Sequence, residues 1–360
     1  VIVVAGAGMA GLVAGARLRE LGVAPIVLEK GNRAGGSMLL SSGVAWRHAS
    51  LADFREECPG GDEALQRLIL ERLDSALDWL ETLGAPVLEA DTGNPRTVGR
   101  RFETQGLTRV LCERAGDVRL LEPLEELGDD LVVLATGGFG GVLARRLGLP
   151  LRANPWSEGD GLSLARARNA DVSSGMDEFY GRAMPAPPAR VEETDYVRLA
   201  QVYGRHALVL DEAGMPIEGP PAWHEADVVQ EIARRPGGRA WYLVSDDALG
   251  VPASGRASVV DQVDAARAAG GAVLSPAELP FPAPGGYRYA VHVIATITHT
   301  IGGLRIDEHA RVLDEDGAPL DGLLSAGVDA GGVAGGGYAS GLAAALVLGL
   351  TAAETAHAMR

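Results

Sequence analysis

VIVVAGAGMAGLVAGARLRELGVAPIVLEK, residues 1–30, decides the fold. Residues 1–5 are a short β-branched run, as expected of a strand buried on both faces of a parallel sheet. Gly6-Ala7-Gly8-Met9-Ala10-Gly11 comes next. Leu12, Ala16, Leu18 and Leu21 then recur at helical spacing, which predicts a helix over residues 9–21 with Gly22 as its C-cap. Residues 25–29 read as a second strand ending on Glu29. Gly6 permits the tight turn, Gly8 lets the backbone approach a pyrophosphate, and Gly11 lets helix and strand pack closely. The helix start supplies orphan N–H groups and a positive dipole end for phosphates. Glu29 is placed to accept hydrogen bonds from a ribose 2′-OH and to repel a 2′-phosphate. The stretch therefore predicts a Rossmann-type domain holding a dinucleotide through Gly6, Gly8, Met9, Ala10, Gly11 and Glu29. FAD and NAD remain open at this point.

The rest of the chain supplies the frame. Apolar spacing predicts helices over residues 51–83, 107–114 and 162–170, and a strand over 131–135. Between about 173 and 289 prolines become frequent and aromatics such as Phe179, Tyr180, Tyr196, Tyr203, Trp223, Trp241 and Tyr242 gather. That change marks an inserted α+β cap domain over 173–289. The dinucleotide domain then comprises 1–172 and 290–360. In its second part, strands are expected at 303–306 and 322–325, and a long Ala/Leu helix at 342–357. The fold class is α/β with an inserted α+β catalytic cap.

Composition narrows the partners. With 360 residues, 47% of them hydrophobic, the chain can bury a sizeable core. A net charge of −16 disfavours nucleic acid and anionic membrane surfaces. Two cysteines, Cys58 and Cys112, form neither a disulfide framework nor a metal motif, so no metal is expected and the cytoplasm is the expected compartment. The apolar runs 1–5, 131–135 and 342–350 are too short to span a bilayer. Forty-nine glycines in separate clusters suggest an extended ligand touched by many loops.

The residues after Glu29 separate the two dinucleotides. Lys30-Gly31-Asn32-Arg33-Ala34-Gly35-Gly36-Ser37 leads to Ser41-Ser42-Gly43, where an NAD domain would continue with regular βα units. This stretch resembles the FAD-dependent fumarate reductase/succinate dehydrogenase flavoprotein superfamily. The resemblance recurs, in order, at Ala135-Thr136-Gly137-Gly138-Phe139, Glu158-Gly159-Asp160-Gly161, His299-Thr300-Ile301-Gly302-Gly303 and Gly322-Leu323-Leu324-Ser325-Ala326-Gly327. It implies FAD as the cofactor. It further implies contacts through Lys30, Gly36, Ser37, Ser41, Ser42, Gly43, Val118, Ala135, Thr136, Gly137, Asp160, His299, Gly327, Val328, Ser340, Gly341 and Leu342. His299 would touch the flavin O2. A helix starting near Gly341 and Leu342 would stabilise the reduced, anionic flavin with its dipole. The chain departs from the family pattern in two places. Val328, with Asp329 next, stands where the family has Glu, and residues 117–130 are too few for the family's β-meander.

The substrate residues also depart from part of the family. Fumarate reductases hold carboxylates with a His-His pair and an Arg; here those slots are Thr298-His299 and Tyr338. A dicarboxylate would be left unpaired in a partly dry site, which is costly. Gly337-Tyr338-Ala339-Ser340-Gly341 is similar instead to the 3-ketosteroid dehydrogenase branch, of the Δ4-(5α) type. That similarity implies a Tyr338 donor to a substrate ketone, with Ser340 assisting, and a second acid/base from the cap. Tyr180 is the first candidate for it and Tyr203 the second. The expected reaction is FAD-dependent introduction or reduction of a C=C bond next to a carbonyl in an apolar, cyclic or steroid-like ketone. One rival is an unsaturated-carboxylate reductase with Arg182 as clamp. The other is a flavin-binding redox protein without turnover of its own. Trp46 is a candidate for lining an apolar pocket and His48 for covalent flavin attachment. His206 and His224 read as structural or exposed.

Overall fold

In the computed structural model the described residues are 1–219, 225–254 and 257–360. The expectations for Trp223 and His224 lie outside them. Two compact units result, the first from residues 1–142, 154–179 and 299–360, the second from 143–153 and 180–298. Composition marks the insert at 173–289, whereas the second unit also takes the Leu143–Ala153 segment and begins seven residues later, at Tyr180.

The first unit is built on a six-stranded sheet ordered Arg311–Leu313, Pro319–Ser325, Leu131–Leu134, Ile2–Ala5, Ile26–Glu29 and Asp117–Leu120. All neighbours are parallel except the antiparallel edge pair Arg311–Leu313 with Pro319–Ser325. Val4 sits opposite Val27 on one side and Val133 on the other, and its side chain is fully buried. Helix Met9–Glu20 makes the crossover between the first two strands. A Cβ on Gly11 would stand 1.8 Å from the Gly6 carbonyl oxygen, so only glycine lets this helix reach the strand. A three-stranded antiparallel sheet of Val44–His48, Thr97–Phe102 and Val87–Glu89 belongs to the same unit.

Several boundaries differ from expectation for local reasons. The 51–83 helix is two helices, Leu51–Glu57 and Glu63–Thr82, because Pro59-Gly60-Gly61 breaks the run and the Asp62 carboxylate caps the second by accepting from the Ala64 and Leu65 amides. The 107–114 segment extends back to Thr104–Ala115 because Glu103 caps it in the same way. The 162–170 helix is Asp160–Arg166. Residues 303–306 form no strand, only isolated bridges at Leu304 and Ile306. Among the described residues no strand lies between Leu120 and Leu131.

The last helix is longer than its apolar run suggests. Gly341–Ala358 has the length and hydropathy to cross a membrane, but 61% of that window is buried inside the protein. It packs on Met9–Glu20 and Glu63–Thr82. A Cβ on its Gly349 would lie 2.7 Å from the Ala10 carbonyl oxygen, and Arg17 and Arg72 both reach its Glu354. It is a core helix.

The second unit is α+β. Strands Val273–Leu274, Tyr289–Thr300, Arg239–Val244 and Leu208–Leu210 form an antiparallel run, and Phe179–Pro185 pairs with the long Tyr289–Thr300 strand. Helices Glu225–Ala233, Asp246–Leu249 and Val259–Ala268 accompany it.

Candidate functional site

The phosphate end of the site forms where the first strand turns into its helix. Gly6 has φ +103° and its N–H donates to the Leu28 carbonyl at 2.7 Å. Gly8 is the N-cap of Met9–Glu20, with no side-chain cap and no acid in the first turn. The amides of that turn therefore point where an anion can receive them. A Cβ on Gly8 would meet nothing within 4 Å, so the space ahead of this turn is open. The Gly36 loop closes one side, since a Cβ on Gly36 would sit 3.1 Å from the Gly8 Cα. Gly35 is tied to this turn by its N–H to the Ala7 carbonyl at 2.7 Å.

Glu29 is 6% exposed and already ordered by protein. One carboxylate oxygen accepts from the Ala7 amide at 2.8 Å and the other from the Gly31 amide at 2.7 Å. A carboxylate has about four lone-pair positions, so both oxygens keep acceptor capacity for sugar hydroxyls. An open cleft next to it is lined by Glu29, Lys30, Leu124, Thr136, Trp156 and Asp160. Lys30 bridges to Asp160 at 2.6 Å across this cleft. Val118 lies on the strand that pairs with Val27, at the same edge. Trp156 covers Gly31, where a Cβ would come within 2.5 Å of its indole. The sequence does not single Trp156 out, because nothing in Asn154-Pro155-Trp156 distinguishes a ligand-facing ring from a core one.

Asp329, the residue beside an expected contact, organises the next part of the site. It is 1% exposed. Its carboxylate accepts from the Thr136 amide, from the Thr136 hydroxyl at 3.0 Å and from the Gly138 amide at 2.9 Å. Burial raises its pKa, while these donors pull it back down. The Thr136 hydroxyl in turn accepts from the Gly161 amide at 3.1 Å. Asp329 thus links the strand end at Ala135, Thr136 and Gly137 to the loop before Asp160. Val328 packs on the same turn, its Cγ1 2.7 Å from a Cβ built on Gly138. Gly327 has φ +68° and approaches Ala10 so closely that a Cβ would lie 2.9 Å from the alanine methyl.

The far end gathers around the start of the last helix. Ser340 is its N-cap, with its hydroxyl accepting from the Ala343 amide at 3.3 Å and donating to the Val44 carbonyl at 3.3 Å. Gly341 and Leu342 open the helix beside it. The hydroxyl expected to assist a substrate is thus engaged in capping. His299 Nδ1 lies 3.1 Å from the Thr300 carbonyl, and a Cβ on Gly341 would sit 3.1 Å from its Nε2. A carbonyl can only accept, so Nδ1 donates to it; burial lowers the ring's pKa, against the backbone bond to Thr300. Ser41 closes its own loop, donating to the Met38 carbonyl at 2.8 Å and accepting from the Gly43 amide at 3.1 Å. The Ser37 hydroxyl accepts from the Asn154 amide at 3.1 Å, and the Ser42 carbonyl accepts from Arg101 Nε at 3.0 Å.

Tyr338 is half-buried, with its ring 5.5 Å from Trp46 in an edge-on arrangement. In the second unit, Tyr180 is 7% exposed with the Arg182 guanidinium 5.0 Å from its ring centroid. Tyr203 is fully buried, donates to Gln201 Oε1 at 2.9 Å and has its pKa driven well up by burial. It is a core residue rather than an acid/base. Glu225 accepts from the Gly204 amide at 2.9 Å and, more weakly, from the Tyr242 hydroxyl at 3.4 Å. Desolvation pushes its pKa up to about 8, against the pull of Arg182. No group of His, Cys, Asp and Glu among the described residues suits a metal.

These features fit a dinucleotide whose phosphates meet an uncapped helix start and whose sugar meets an oriented carboxylate. Known proteins agree with that fit. An FAD binding domain family matches residues 1–126 and 124–342. A fumarate reductase (cytochrome) of Shewanella frigidimarina is 24% identical over 416 aligned residues, covering 91% of this chain and 71% of that protein. Among solved structures, a flavocytochrome c3 fumarate reductase in its open conformation superposes with a TM-score of 0.70 at 22% identity, over 99% of this chain and 78% of that one. The 3-ketosteroid-Δ4-(5α)-dehydrogenase of Rhodococcus jostii RHA1, bound to 4-androstene-3,17-dione, gives 0.69 at 19% identity, over 99% and 96%. The 3-ketosteroid Δ1-dehydrogenase of Sterolibacterium denitrificans gives 0.73 at 16% identity, over 100% and 99%.

Proposed function

The chain belongs to the FAD binding domain family, and from that premise we propose that it dehydrogenates, or in reverse reduces, the carbon–carbon bond next to the carbonyl of an apolar, cyclic or steroid-like ketone. The observation that carries this reading is Tyr338. A neutral hydrogen-bond donor stands edge-on to Trp46 in the slot where the resemblance to fumarate reductases would call for a carboxylate-binding Arg. Bound FAD supplies the acceptor for a hydride leaving the carbon β to the carbonyl. Tyr338 donates its phenol proton as a hydrogen bond to the ketone oxygen, which stabilises the charge that develops there and acidifies the α C–H. Tyr180 is the proposed base for the α proton. Trp46 offers an apolar face to the ring system.

Arg182 bears on the carboxylate reading. Its guanidinium lies over the Tyr180 ring and within electrostatic reach of Glu225. A cation already compensated inside its own unit is a poor clamp for a substrate carboxylate. The free thiols of Cys58 and Cys112 favour a reducing, cytoplasmic setting.

The test is Tyr338→Phe in the FAD-loaded protein. Loss of one such donor costs about 10²–10³-fold in kcat, with FAD retained. An unchanged kcat removes Tyr338 from the mechanism. Arg182→Ala separates the rival: it raises KM sharply for an unsaturated acid but not for a neutral ketone.

A further inference from the structure

We propose that Trp156 is the platform on which the adenine of the cofactor lies, and that residue 31 is glycine to make room for it. The proposal concerns the cofactor end of the site and stands whatever the substrate is.

In adenosine the base is joined to the ribose carbon next to the one that bears the 2′-OH. A base whose ribose is held at Glu29 therefore lies beside that carboxylate. The open cleft is the space there, and its apolar walls are Leu28, Pro123, Leu124 and Trp156. Apolar walls with a carboxylate among them suit a flat heteroaromatic ring joined to a sugar. Of the described residues that line the cleft, only Trp156 has an aromatic face for a base to stack on. Trp156 is half-buried, so part of the indole stays accessible.

The backbone around the indole is built to admit it. The three atoms nearest to a Cβ built on Gly31 all belong to its benzo ring, with Cε3 at 2.5 Å, Cζ3 at 2.7 Å and Cδ2 at 2.8 Å. Gly31 does not need to be glycine for its own conformation, because its φ lies outside the left-handed region. Its peptides cannot retreat either. The Gly31 N–H donates to Glu29 Oε1 at 2.7 Å, and the Gly31 carbonyl accepts from the Leu121 amide at 3.0 Å. The Arg33 guanidinium lies over the Trp156 ring, 5.5 Å from its centroid.

The loop that carries the indole is tied to the phosphate end. The Trp156 amide donates to Asn154 Oδ1 at 3.2 Å, and the Trp156 carbonyl accepts from the Glu158 amide at 2.9 Å. Asn154, itself buried, donates its amide to the Ser37 hydroxyl at 3.1 Å. Ser37 follows the Gly36 turn that closes on Gly8. The adenine platform and the pyrophosphate turn are thus one connected piece of backbone.

Nucleotide titrations of the full chain freed of FAD test this. ADP is the probe, because it carries adenine, ribose and phosphates without the flavin. Trp156→Ala is expected to weaken ADP and FAD by the same factor, about 5- to 150-fold, as the loss of one base-on-aromatic stack does. Trp156→Phe keeps an aromatic face and stays within about threefold of the unsubstituted protein. ADP quenches the tryptophan fluorescence of the unsubstituted protein, and Trp156→Phe removes most of that quenching. Gly31→Ala weakens ADP about tenfold, yet changes its affinity less than about twofold in a Trp156→Ala background, because the clash it creates is with the indole. ADP that quenches nothing in the unsubstituted protein, or that binds Trp156→Ala as tightly, overturns the proposal. A Gly31→Ala penalty of equal size in both backgrounds overturns it as well. If Trp156→Ala does not fold, Trp156→Leu, an apolar wall without an aromatic face, takes its place in the same comparison.

Discussion

Asp329 and Glu29 do related work with opposite visibility in the sequence. Each is a buried carboxylate that accepts from backbone amides rather than from a cation. Unpaired, those amides would each cost about 1–3 kcal/mol. Asp329→Ala is therefore expected to lower stability by about 2–4 kcal/mol and to release FAD, read by denaturant melts and flavin absorbance. Asp329→Asn keeps an acceptor oxygen and costs less than half as much; an Ala variant as stable as the Asn variant would contradict this role. Glu29→Ala should weaken FAD at least tenfold while leaving FMN, which has no adenosine, unchanged in a fluorescence titration. Glu29 is legible because it ends a strand at a fixed distance from the glycine turn. Asp329 is not, because its partners Thr136 and Gly138 are some 190 residues away in the chain. Cys58 is quieter still: burial pushes its thiol up to about 12, so it should resist alkylation in the folded protein and react only on unfolding.

Elements are readable in proportion to how local their causes are. The Ile2–Ala5 strand, the Met9–Glu20 helix and the Ile26–Glu29 strand arise from β-branched runs, glycine spacing and a 3.6-residue period. The break between Leu51–Glu57 and Glu63–Thr82 hinges on Pro59 and on the Asp62 cap, a signal visible in the letters but masked by continuous apolar spacing. The Gly303–Ile306 stretch looks like a strand by composition, yet its bonds go to Asp171 and Asp329 on other loops, and no pattern within the stretch announces that. Glycine contacts give the sharpest test at this scale. Gly349→Leu would drive a side chain into the Ala10 carbonyl and Val13. It should cost more than about 2 kcal/mol by overpacking and loosen FAD through the adjacent helix start. A variant of unchanged melting temperature would mean that the two helices do not meet there.

For the whole molecule, the first unit draws on both ends of the chain, and the second holds a buried carboxylate, Glu225, whose pKa is raised. Glu225 has a folded pKa of about 8 against an ordinary 4.5. The folded state then binds its proton more tightly than the unfolded state. The contribution is fully present below about pH 4.5 and is lost as pH rises through about 8. Thermal melts between these limits should show stability falling with pH, on the order of a few kcal/mol, and Glu225→Gln should flatten that slope. A slope that survives Glu225→Gln would assign the titration to another group.

On the proposed reading, the flavin takes electrons from a saturated ketone. The direct test is anaerobic absorbance between about 350 and 500 nm while saturated 3-ketosteroids and cyclohexanones are added to the FAD-loaded protein, with dicarboxylates such as succinate as the contrast. Bleaching of the flavin band by a ketone, and its loss in Tyr338→Phe, is the predicted result. A band that ketones leave intact and a dicarboxylate bleaches would contradict it.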